Sequence, residues 1–139
     1  MWTALPCAAV LTLIAGIHFY WALGGRAGLR IAVPQTTQGR SVFKPRRGST
    51  HLVGVALLVA AAFILVQGGV LAVPLWPAAS RAVVALLALI FLVRALAPLR
   101  YTGLFKTVRD TPFGRYDTWL YSPLCLLLGL ALAHQAVSA

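Results

Sequence analysis

Four apolar runs, each close to the length of a bilayer-crossing helix, leave this chain few ways to fold. They fall at about residues 3–23, 51–72, 80–98 and 118–137. A helix needs about 20 residues to cross about 30 Å of hydrocarbon. Backbone groups in lipid must hydrogen-bond internally, and none of the runs alternates as a barrel strand would. The expected fold is an all-α membrane protein with four transmembrane helices in one antiparallel bundle. Its 139 residues, 60% hydrophobic and 10% charged, make one domain, 1–139, with long basic loops at 24–50 and 99–117.

The first run is expected to stay as a helix rather than serve as a secretory signal. It lacks a basic leading segment and ends in HFYWALGG instead of small residues at a cleavage site. The LPC at 5–7 has no apolar run before it, which argues against a lipoprotein cysteine. Cys7 and Cys125 are too few for a disulfide framework and read as small buried apolar side chains.

Charge predicts the orientation. The chain has twelve Lys and Arg against two acids, Asp110 and Asp117. Arg26, Arg30, Arg40, Lys44, Arg46, Arg47, Arg100, Lys106, Arg109 and Arg115 all lie in the two long loops, with Arg81 near the other face. By the positive-inside rule those loops are cytoplasmic and both termini are outside the inner (plasma) membrane. The natural partner of such a rim is the lipid bilayer with its anionic headgroups, at about 1 kcal/mol per basic residue. Nucleic acid is not expected, because the aromatics sit at helix ends rather than on a stacking platform.

A few polar residues do not suit lipid. An arginine at a helix centre costs about 2.5–3.5 kcal/mol on insertion scales, less near an end. Arg94, about one turn inside helix 3, either snorkels to phosphate or pairs with a carboxylate; Asp110 and Asp117 are available, and Asp117 opens helix 4 at the same depth. Asp117 can also cap that helix, and Asp110 before Thr111-Pro112 reads as a cap of a short interfacial helix. Cys7, Leu11, Ile14, His18 and Trp21 share one face of helix 1, so His18 must bond within the bundle or bear the cost of burial. His51 opens helix 2 at the same membrane face, and Tyr121 lies one turn into helix 4. His18, His51, Arg94, Asp117 and Tyr121 therefore form a candidate polar cluster at the cytoplasmic helix ends, set against the simpler reading that polar residues collect at interfaces. Pro123 is expected to loosen the first turn of helix 4 by removing a donor to the Trp119 carbonyl. The aromatics Trp2, Tyr20, Trp21, Trp76, Tyr116, Trp119 and Tyr121 read as interfacial belts, and Ala8, Ala9, Ala15, Gly16, Gly54, Ala60 to Ala62 and Gly129 as close-packing positions.

The motifs IHFYWALGG (17–25), RYTGLFK (100–106) and TPFGRYDTWLYSPLCL (111–126) together cover the distinctive parts of the chain. On them the sequence resembles a family of small four-helix bacterial integral membrane proteins catalogued as a domain of unknown function. The resemblance implies the four-helix fold and a membrane location, and it carries no functional residue over.

Three functions compete on this reading. The first is an accessory or small-amphiphile/lipid-binding protein with the polar cluster as its pocket, taking a hydrophobic small-molecule ligand or assembling as a homodimer or larger membrane complex. The second is a membrane-embedded enzyme with isomerase-like acid/base chemistry on a lipid-like substrate, using His18 or Asp117 as proton carrier and Arg94 as clamp. The third is a small anion or solute transporter, for which no acidic residue in a helix core and no inverted halves are evident. Haem ligation by His18 and His51 is disfavoured by their unequal depth. No cofactor, metal or catalytic residue is assigned.

Overall fold

The computed structural model describes residues 2–138, and among these every regular element is helical. The elements are α1 (Ala4–Ala22), a short α2 (Leu29–Ala32), α3 (Arg47–Gln67), α4 (Pro77–Leu96), α5 (Pro112–Tyr116) and α6 (Ser122–Ser138). A π-helical turn, Asp117–Tyr121, joins α5 to α6, so Pro112–Ser138 runs as one helical rod. Four segments (α1, α3, α4 and that rod) are long and apolar enough to cross a membrane.

Helix ends differ from the sequence reading for local reasons. α3 starts at Arg47, before His51, and stops at Gln67 because Gly69 turns the chain with φ of 69°. Val70 N then bonds back to the Leu65 carbonyl, leaving 70–76 as a connection rather than a further helical turn. α4 begins at Pro77, whose missing N–H is harmless in a first turn. It ends at Leu96 because Pro98 holds Ala97 in an extended conformation.

The fourth span starts at Pro112 rather than Thr118, and two cap assignments change with it. Thr111, not Asp110, caps this segment: its hydroxyl accepts from Gly114 N at 3.0 Å. Asp110 is exposed. Asp117 is not a cap either, since it sits inside the rod in the wide π register, where Ser122 N meets the Asp117 carbonyl. That register precedes Pro123, which has no N–H to offer the Trp119 carbonyl.

The spans pack as two pairs, α1 on α3 and α4 on α6, with α3 against α4 joining them. Ala4, Cys7, Ala8 and Leu11 of α1, Ala60, Ala61 and Ile64 of α3, Val84 and Ala88 of α4, and Leu128, Leu132 and Ala136 of α6 form the buried core. Small side chains dominate it, as expected where helices associate by close packing. Within each pair one glycine admits a neighbour. A Cβ on Gly54 would lie 2.8 Å from the Phe19 ring, and one on Gly129 would lie 2.7 Å from Leu92 Cγ. Gly16, by contrast, faces open space. Leu13, Leu86, Leu89, Ile90, Leu127 and Leu130 point outward, the surface a lipid-facing helix presents.

At the basic-loop end, the 23–46 segment is tied down rather than free. Trp21 Nε1 donates to the Ala27 carbonyl at 2.7 Å, and Tyr121 Oη donates to the Ile31 carbonyl at 2.9 Å. Gln35 Oε1 accepts from Phe113 N at 3.2 Å, while its amide nitrogen donates to the Arg30 carbonyl. An isolated bridge between Gln35 and Ser41 closes the TTQGR turn.

Candidate functional site

Two constructions occupy the basic-loop end of the helices. The first is an ion cluster around Asp117, whose side chain has no exposed surface. Arg94 Nη2 reaches Oδ1 at 2.6 Å, and Lys106 Nζ reaches Oδ2 at 3.0 Å. Gly103 N and Ser122 Oγ also donate to Oδ2, at 2.9 and 3.0 Å. Every group that meets the carboxylate is a donor, which is the arrangement a buried anion requires. Lys106 Nζ additionally donates to the Gly103 carbonyl and to Thr118 Oγ1, so a fully buried ammonium is satisfied on three sides. The cluster holds two cations and one carboxylate, and Arg94 Nη1 is buried without a hydrogen-bond partner.

Local sequence explains this geometry. Gly103 has φ of 96° and lies over the C-terminal carbonyls of α4, where a Cβ would come 2.8 Å from the Ala97 oxygen. Only glycine suits both that conformation and that approach. Leu104 N bonds to the Ala95 carbonyl, folding the loop back across the end of α4 and carrying Lys106 inward.

The second construction is a cleft beneath the 29–45 segment. The part against α1 and α3, inner in that sense, is about 230 Å³ and is lined by His18 and Trp21 of α1, Thr50 and Val53 of α3, and Phe43 and Lys44 of the loop. The outer part, about 330 Å³, is lined by Arg30, Gln35, Ser41, Phe43, Lys44 and Pro112. Leu29, Val33, Phe43, Lys44 and Pro45 line both parts, so they adjoin. His18 Nδ1 lies 2.8 Å from the Ile14 carbonyl, and the ring meets Trp21 edge-on with centroids 5.3 Å apart. A carbonyl only accepts, so Nδ1 carries hydrogen, and in the neutral ring Nε2 is a lone-pair acceptor.

The five residues picked out by the sequence divide among separate surroundings. Arg94 and Asp117 pair with each other. His18 lines the cleft. Tyr121 spends its hydroxyl on Ile31 and packs its ring near Phe113 and Tyr116. His51 is exposed on α3, its ring tilted against Phe19 at 5.1 Å. The residues that the sequence reading left in the basic rim, Lys106, Arg30 and Lys44, are the additional members of these two constructions. Lys106 carried one signal, its place three residues after a glycine between two spans. Arg30 and Lys44 carried none. Among the described residues no group of three His, Cys, Asp or Glu side chains is placed to hold a metal ion, and both cysteines are free.

Four apolar spans in two pairs, with their charged residues near the ends, fit a small multi-pass membrane protein. Residues 11–132 match the model of the family described as Protein of unknown function (DUF3995), and the chain belongs to that family. Neither a curated protein nor a solved structure matches it.

Proposed function

We propose that this is a non-catalytic protein of the bacterial inner membrane that binds a small amphiphile in the cleft beneath residues 29–45, at the cytoplasmic ends of its helices. The observation that carries this reading is the cleft itself: a part lined by His18, Trp21 and apolar side chains adjoins a part where Arg30, Gln35, Ser41 and Lys44 stand among apolar side chains. Its roof is held by Gln35 and Tyr121 before any ligand arrives, so little ordering cost opposes binding. The orientation follows from the ten basic residues gathered in the two long loops. Binding is favoured over catalysis because no carboxylate lines the cleft beside His18 to work as its acid or base partner. It is favoured over transport because the buried charged side chains, Lys106 and Asp117, lie at the basic-loop end rather than in the core between the helix pairs.

Native mass spectrometry of the protein released from mild detergent tests this. A discrete small mass is expected on the wild-type protomer and is expected to fall away in His18→Ala and in Val53→Trp, which fills the inner cleft. A protomer or homo-oligomer carrying only heterogeneous lipid, the same in all three proteins, would remove the cleft from consideration and leave the accessory-subunit role.

A further inference from the structure

The cleft has a positive rim. Arg30 and Lys44 line it, both exposed, and neither side chain makes a hydrogen bond or ion pair with another described residue. The side chains offer two carboxylates. Asp117 is consumed by Arg94, Lys106, Gly103 and Ser122 in the buried cluster. Asp110 is exposed in the other long loop and does not line the cleft. Two cations therefore face a common space with no anion of the protein's own to meet them.

The rest of the lining states what else the occupant must be. Lys44 belongs to both parts of the cleft, with Arg30 and the Ser41 hydroxyl on its outer side. On its inner side lie Trp21, Phe43 and Val53, and His18 with its second ring nitrogen free. A soluble anion would satisfy the cations and leave the aromatic end unused. A neutral amphiphile would fill the aromatic end and leave two cations without a counter-charge. Resting on the amphiphile-binding reading above, we infer that the occupant is an anionic amphiphile: its head, a phosphate monoester or a carboxylate, lies between Lys44 and Arg30, and its apolar stem runs inward along Trp21 and Val53. His18 Nε2 sits beside the junction of head and stem, where it accepts from a hydroxyl on the ligand.

The test is native mass spectrometry of the full-length protein in a neutral detergent with two probes of equal chain length, dodecyl phosphate and dodecanol, with inorganic phosphate as competitor. Dodecyl phosphate is expected at one per protomer, retained about tenfold better than dodecanol, as charge-assisted contacts to two cations provide. In Arg30→Gln/Lys44→Gln that preference is expected to vanish while dodecanol retention stays unchanged. Arg26→Gln/Arg40→Gln removes the same charge from the same loop outside the cleft and is expected to keep the preference. Equal retention of the two probes overturns the anionic head and leaves amphiphile binding standing. Retention of neither overturns both. Full displacement of dodecyl phosphate by inorganic phosphate, or an equal loss in both double variants, overturns the anionic amphiphile in favour of a free anion or a diffuse field.

Discussion

Lys106 Nζ lies 3.0 Å from Asp117 Oδ2, and neither side chain has exposed surface. Arg94 reaches the other oxygen from α4 with its side chain 28% exposed. The carboxylate thus joins the end of α4, the returning loop and the π turn, three pieces of chain that have no other ionic link among the described residues.

Asp117→Asn is expected to leave a buried ammonium and a part-buried guanidinium without their anion, at a cost of about 3–5 kcal/mol. Lys106→Met removes the second cation and keeps Arg94 paired, so its loss is expected to be smaller, about 1–2 kcal/mol, from hydrogen bonds alone. Thermal unfolding of the two variants in one detergent orders them. Equal losses would show that both cations are required.

Gly103→Ala must place a side chain at φ of 96° and a Cβ 2.8 Å from the Ala97 oxygen. Strain of this kind costs about 1–3 kcal/mol. Because Gly103 N is also a ligand of Asp117, part of the loss is shared with Asp117→Asn, and the double variant is expected to lose less than the sum of the two single changes while keeping the strain against Ala97. A double-mutant cycle on unfolding midpoints reads the coupling.

Gly129→Ala and Gly16→Ala are expected to move stability in opposite directions. The first forces a Cβ to 2.7 Å from Leu92, an overpacking worth about 1–3 kcal/mol. The second meets nothing within 4 Å and gains about 0.5–1 kcal/mol of helix propensity. Matching signs in a melting experiment would contradict the packing described for α4 and α6.

Tyr121→Phe keeps its ring contacts and loses the bond to the Ile31 carbonyl, worth about 0.5–1.5 kcal/mol. Hydrogen exchange is expected to quicken across 28–35 and stay unchanged in α4. Uniform quickening would mean that the tie supports the whole molecule rather than the loop.

Orientation is open to direct labelling. With Cys7 and Cys125 replaced by alanine, a cysteine at Pro74 is expected to react with an impermeant maleimide in intact inner-membrane-exposed cells. A cysteine at Thr37 is expected to react only after permeabilisation. The reverse pattern would place the basic loops outside.

The four spans were legible because apolar length is a one-dimensional property; their ends shifted where Gly69, Pro77, Pro98 and Thr111 acted locally, and at Arg47, where α3 starts four residues ahead of the apolar run. The Arg94–Asp117 pair was also within reach of the sequence: an arginine inside a span needs an anion, and the chain has two to offer. Lys106 was not, since its burial depends on the loop folding back over α4, and the positive φ of Gly103 that permits this leaves no mark beyond a glycine. The cleft was further still from view. Its roof rests on Gln35 meeting Phe113, residues 78 apart in the chain, and no periodicity connects them.

The helix pairs have a consequence for how the protein is made. α1 with α3, and α4 with α6, are each a continuous stretch of chain folded back once, separated by the short 68–76 connection. The first hairpin can therefore be complete in the bilayer while the second is still being synthesised. The bonds between hairpins, Gln135 Nε2 to the Ile64 carbonyl at one rim and Gln35 and Tyr121 at the other, all need residues from the second half. Until they form, the floor of the cleft exists without a fastened roof, so the cleft is most open in the newborn protein.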